Sequence, residues 1–168
     1  MAYGLLLLRV VFGLTIAAHG AQKLFGWFGG GGLRGTAGFF GRDFRSPLAM
    51  AFLAGVSEFG GVALAAGFLT PLAAFGIVVA MTTAIRVVNG RKGFFNANGG
   101  FEFPLVLLTA AVGITMTGPG RLSLDRALGW DDNWRGAWWG LGVLAAGVVV
   151  AFVNHMLFRR RPEPAVVA

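Results

Sequence analysis

At 168 residues the chain has the length of one ordinary domain. Its composition, 56% hydrophobic and only 12% charged with a mean hydropathy of +0.72, excludes a soluble globular protein and marks an integral membrane protein. The net charge of +7 does not point to nucleic acid, because the basic residues sit in short connections between apolar runs, as orientation signals and lipid-headgroup contacts do. With no cysteine, disulfide frameworks, thiolate metal sites and intrinsic thiol–disulfide exchange are excluded as well.

The first apolar run, Gly4 to Phe25, is long enough to cross a bilayer. No cationic segment precedes it and Arg9 interrupts it, so a cleaved signal peptide is not expected. Gly13, Ala17 and Ala21 recur every four residues, a small-residue ridge for a close helix neighbour. Arg9 has two readings: it snorkels to the interface, or it turns inward to a carboxylate. At the far end His19 and Lys23, four residues apart, share one helix face. Gly26 to Gly32 then reads as a flexible turn, with Trp27 and Phe28 as interface anchors. Gly30-x-Gly32-x-x-Gly35 matches a dinucleotide fingerprint only formally, since no strand precedes it and no βαβ unit fits. An interfacial helix is expected before Pro47, with Phe40 and Phe44 on one face and Arg34, Arg42 and Arg45 reaching headgroups.

The second span, about Leu48 to Leu69, carries Glu58 near its middle, among Gly55, Gly60 and Gly61. Ser46 is a candidate cap for it. A short connection leads to the third span, Pro71 to about Val88, with Thr70 as the expected cap. Arg86 closes that span. After the polar turn 89–93 and Phe94, the fourth span runs from about Phe101 to Met116, with Glu102 in its first turn, where an acid also suits the helix dipole. Thr117-Gly118-Pro119-Gly120 is a turn, and Ser123 to Leu128 predicts a short capped helix stopped by Gly129. Trp130, Trp134, Trp138 and Trp139 form an aromatic belt ahead of a fifth span, Gly136 to Phe158. The fold class is therefore all-α, a polytopic membrane bundle. Its expected parts are a core in residues 1–135, an added helix in 136–158 and a basic tail in 159–168. Ten basic residues fall on one side of five spans and three on the other, which predicts an external N-terminus and a cytoplasmic C-terminus.

Together Arg9, His19-Gly20-x-x-Lys23, Glu58-x-Gly60-Gly61, Gly99-Gly100-Phe101-Glu102-Phe103-Pro104 and Thr117-Gly118-Pro119-Gly120-Arg121-x-Ser123-x-Asp125 resemble the DoxX family of small bacterial membrane proteins over roughly residues 4 to 130. The resemblance implies a four-helix core, to which the fifth span is an addition. It also implies placement in the bacterial inner membrane. Relatives include subunits of thiosulfate:quinone oxidoreductases and members of membrane-associated oxidative-stress complexes. The thiol-redox branch needs cysteines and does not carry over.

Read as chemistry, His19, Lys23, Arg86 and Glu102 gather near the cytoplasmic end, with Glu58 deeper and expected to pair with Arg9 or His19. The functional expectation is a quinone-headgroup site. There His19, Glu58 and Glu102 exchange protons and hydrogen-bond the carbonyls, Lys23, Arg9 and Arg86 supply charge, and Phe25, Trp27 and Phe94 form aromatic walls. The quinone is the one candidate cofactor, no metal site is expected, and a partner subunit supplies the electrons. Membrane lipid and a protein partner or a second copy of the chain are the expected contacts. The competing readings are charges that only hold helices in register in a non-catalytic anchor or scaffold, a proton or solute carrier on Glu58 and His19, and a haem between His19 and His155.

Overall fold

The computed structural model describes residues 2–160, so all but the first two residues of the tail expected at 159–168 lie outside the described residues. The described chain is helical: α1 (Ala2–Phe25), α2 (Gly32–Phe40), α3 (Pro47–Phe59), α4 (Gly61–Ala66), α5 (Thr70–Thr83), α6 (Glu102–Thr117), α7 (Leu124–Ala127) and α8 (Ala137–Phe158). α3 and α4 make one apolar helix, Pro47–Ala66, with a turn at Gly60, and α5 runs on through a π-helical segment, Ala84–Asn89, to Lys92. Four helices are long and apolar enough to cross a membrane: Ala2–Phe25, Pro47–Ala66, Thr70–Lys92 and Ala137–Phe158. α6 has 16 residues. At about 1.5 Å per residue it is roughly 24 Å long, short of a hydrocarbon core of about 30 Å.

α1 packs antiparallel on α3–α4, α5 lies in the centre against α3, α4, α6 and α8, and α6 and α8 also touch each other. The main core is built from Ile16, Leu64, Ala74, Ile77, Val78, Leu107 and Ala111. The outer faces stay apolar, with Leu7, Leu8, Val11, Phe52, Leu72 and Val106 exposed where a bilayer would meet them. Lipid, not water, is the solvent for such a surface.

The small residues of α1 do what their spacing suggests. A Cβ added at Gly13 would lie 2.5 Å from the Gly61 carbonyl oxygen and 2.7 Å from the Ala65 nitrogen, and one at Gly20 would meet the Phe59 backbone. Backbones this close allow dispersion contact and Cα–H···O contacts that larger side chains would prevent.

Two of the three helix starts expected to be capped by their own residues differ. Ser46 makes no side-chain cap. At α5 the cap is remote: the Asp125 carboxylate accepts from Leu69 N (2.8 Å), Thr70 N (3.0 Å) and Thr70 Oγ1 (2.7 Å). It thereby satisfies N–H groups that a helix start leaves open. Ser123 does cap α7, accepting from Arg126 N at 3.1 Å. Phe40 and Phe44 are buried against Met50 and Ala51 with Phe158 beside them, so they form a second small core. The end of α8 is tied to that core, with Arg45 N donating to Phe158 O (2.7 Å) and Arg160 N to Asp43 O (2.8 Å).

Candidate functional site

Two polar constellations stand at opposite ends of the bundle. The first lies near the start of α1. Arg9 is 1% exposed and turns inward, but to backbone carbonyls: its guanidinium donates to Pro119 O and, at 2.6 Å, to Leu122 O. No carboxylate takes it: Glu58 is at the other end, and Asp125, which lies nearby, is occupied with the α5 start. Gly67 closes this knot. Its φ of +64° suits glycine, and a Cβ there would stand 2.5 Å from Arg9 Nη1. Arg9 thus fastens the loop after α6 to α1.

The second constellation lies toward the end of α1, where Lys23 faces the last turn of α3. Glu58, 3% exposed, is ion-paired through Oε1 with Lys23 Nζ, while its Oε2 is buried without a hydrogen-bond partner. Lys23, not Arg9 or His19, is therefore the partner of Glu58. The reason is geometric. Arg9 sits more than three helical turns away along α1 and is held by the other end of the bundle. His19 is exposed on a different side, with its ring 6.4 Å from that of Phe103.

The Lys23–Glu58 pair lines a cavity of about 500 Å³ between α2, α3, α5 and α8. Phe39, Phe40, Met50, Leu53 and Ala54 make its apolar wall, and Ser57, Thr83, Asn89 and Asn154 add polar groups. Gly31, Gly35 and Thr36 bring the start of α2 over it. Thr83, Ala84, Val88 and Asn89 come from the point where α5 loosens into π-helix. Such segments widen the turn and re-aim side chains, and they recur at functional sites. Phe39 and Leu53 are 57% and 44% exposed on the outer face, so the cavity borders the lipid side of the bundle. A mostly apolar cavity of this size with a few convergent polar groups has the form of a small-molecule site.

The remaining residues singled out from the sequence lie outside this lining. Glu102 accepts from Asn96 N at 2.9 Å, which orders the turn ahead of α6, and Phe94 stacks on Phe95 and Phe101 there. Arg86 is spread over the Phe152 ring, 4.0 Å from its centroid. This is a cation–π contact between α5 and α8. Phe25 packs on Trp27 and Phe59 at the end of α1. His155 meets Phe44 edge-on. Among the described residues no three metal-ligating side chains cluster. The polar groups Ser57, Thr83, Asn89 and Asn154 and the roof of α2 were missed in the sequence. The only sequence signal for Asn154 is a polar side chain late in the most apolar helix.

No curated protein and no solved structure matches the chain. The family model described as DoxX matches residues 4–90, the stretch that carries Arg9, Lys23, Glu58, α2 and most of the cavity wall. The match covers more than half of the 168 residues, and this multi-pass membrane protein belongs to the DoxX family.

Proposed function

We propose that the protein holds the head of a lipid-soluble quinone in the Lys23–Glu58 cavity, as the membrane subunit of a quinone-linked oxidoreductase or oxidative-stress complex. In this reading it lies in the bacterial inner membrane with its C-terminus in the cytoplasm. The observation that carries the reading is the unpartnered Glu58 Oε2, buried at the wall of a cavity that borders lipid. A buried carboxylate oxygen without a partner is unfavourable and is expected to have one in the working state. An oxidised quinone offers two carbonyl acceptors, which the Lys23 ammonium and the amides of Asn89 or Asn154 can meet. Two electrons and two protons convert it to the quinol, whose hydroxyl can donate to Oε2. The pair thus serves both redox forms, while the apolar wall takes the ring. Electrons come from a partner subunit, for which the basic residues at this end of the bundle offer a charged face.

A second reading has its own support. The pair joins α1 to α3 beside Gly20 and Gly55, whose backbones touch the facing helix, so it also suits a pin that sets register in a scaffold. A photoreactive short-chain quinone separates the two. In membranes containing purified protein, labelling is expected on peptides of α2, α3 or α5, at least tenfold weaker in a correctly assembled Glu58→Gln variant. Equal labelling of both proteins overturns the quinone site, and loss of assembly without selective loss of labelling favours the pin.

A further inference from the structure

The chain between α6 and α8 carries three basic residues, Arg121, Arg126 and Arg135. All three line one cavity of about 320 Å³ at the end of the bundle where α1 starts. Thr117, Gly118, Pro119 and Gly120 form its floor, and Asp131 is the one acidic residue in its lining. Asp131 takes a 2.8 Å ion pair from Arg126, and Asp132 lies 3.1 Å from Arg135 on the surface. Arg121 makes no ion pair among the described residues. Just below the floor is a fourth cation, the Arg9 guanidinium bonded to Pro119 O. Asp125 beside it is turned to the α5 start.

Trp134 connects this cationic cavity to a second, almost wholly apolar one. Trp134, next in sequence to Arg135, lines a groove of about 380 Å³ between α5 and α8, with Leu69, Leu72, Phe75, Trp139 and Val143. Trp138 and Trp139 are 86% and 41% exposed at the same level. Tryptophans in that position mark the headgroup layer of a bilayer. A cationic cavity at headgroup depth beside an apolar groove running toward the bilayer interior matches the two halves of one molecule.

We propose that this end of the bundle binds an anionic phospholipid, its phosphate among Arg121, Arg126 and Arg135 and one acyl chain in the groove between α5 and α8. Guanidinium forks suit phosphate oxygens, which they can bind through paired hydrogen bonds. The bare glycines let the floor pack tightly: a Cβ on Gly118 would stand 2.8 Å from Arg135 Cβ, and one on Gly120 2.7 Å from Leu5 Cδ2. The groove has room for the chain: a Cβ on Gly142, which lines it, would meet nothing within 4 Å.

The test uses the full-length protein in non-ionic detergent and a phosphatidylglycerol with a fluorescent tail. Phosphatidylcholine and inorganic phosphate serve as competitors. Saturable binding is expected, displaced far better by unlabelled phosphatidylglycerol than by phosphatidylcholine. It should weaken roughly thirtyfold in Arg121→Gln/Arg135→Gln, where two headgroup cations are lost. Gly142→Leu, which fills the groove, should weaken it as well. Both substituted arginines are exposed, and Arg121→Gln alone disturbs no ion pair, so lipid-free unfolding temperatures should stay at the parental value. Equal competition by the two lipids, or unchanged binding in the arginine variants, overturns the proposal. Displacement by millimolar phosphate with no effect of Gly142→Leu also overturns it, and reassigns the cavity to a soluble oxyanion.

Discussion

Breaking the Lys23–Glu58 pair from its two sides should not have equal effects. The Glu58 side chain is 5% exposed and the Lys23 side chain 31% exposed, and Lys23 stands two residues before the end of α1. In Glu58→Gln the freed ammonium can swing to the interface, as long cationic chains do, so the expected loss is about 1–2 kcal/mol, mainly one charged hydrogen bond. In Lys23→Met the carboxylate has no such exit, since it lies in the middle of the Pro47–Ala66 helix and Oε2 already lacks a partner. Stranding a buried charge is worth about 3–5 kcal/mol. The double variant Lys23→Met/Glu58→Met should recover most of that loss, because no charge then remains to be buried. The assay is unfolding in mixed micelles at a fixed protein concentration, with helix content and tryptophan emission followed together. If Glu58→Gln proves as damaging as Lys23→Met, or the double variant is the worst of the three, the buried-pair account is refuted.

Three further outcomes follow from the packing and the charge pattern. Gly61→Ala, whose Cβ would run into the Gly13 carbonyl oxygen, should destabilise by about 1–3 kcal/mol, whereas Gly113→Ala, with nothing within 4 Å, should be close to neutral; micelle unfolding of both checks this. Arg9→Gln removes the charged bonds to Pro119 O and Leu122 O, so loop 118–123 should become protease-sensitive, with a loss of about 3 kcal/mol in unfolding free energy. Reporter fusions at the C-terminus should give a cytoplasmic signal, and an external one would contradict the orientation drawn from the ten-to-three split of basic residues.

The helices were legible because each is a long apolar run between turns, and runs of that length have few alternatives in a bilayer. The α1 ridge was legible because Gly13, Ala17 and Ala21 recur at the four-residue spacing of one helix face. Which polar groups meet was not. His19 and Lys23 do share a face, but at 100° per residue they are still about 40° apart around the helix. The edge of the buried stripe Gly13–Ile16–Gly20 falls beyond Lys23 and short of His19, so one reaches Glu58 and the other stays exposed. A shift that small depends on how α1 rolls against α3, which is a tertiary fact. The capping of α5 by Asp125 was hidden for the same reason, because 55 residues separate Asp125 from Thr70. The π segment had a weak local sign in Ile85, Val87 and Val88, whose branched side chains crowd an α-helical turn.

The two ends of the bundle also differ in how completely their polar groups are used. Near the start of α1, Arg9 keeps only Nε unbonded, and both Asp125 oxygens are occupied by the α5 start. A network this nearly satisfied rigidifies its surroundings and has little left to offer a substrate. Anything recognised at that end has to sit on the outside of the knot, where Arg121 and Arg135 are exposed. At the other end a carboxylate oxygen is unpaired, the α5 helix loosens, and a short helix after a run of glycines roofs a cavity. These are features a purely structural pin would not need, since α1 is already locked to α3 and α4 by Gly13, Gly20 and Gly61. The asymmetry is the ground for proposing ligand exchange at the Lys23–Glu58 end, while the Arg9 end holds the fold and leaves only its outer arginines for the proposed lipid.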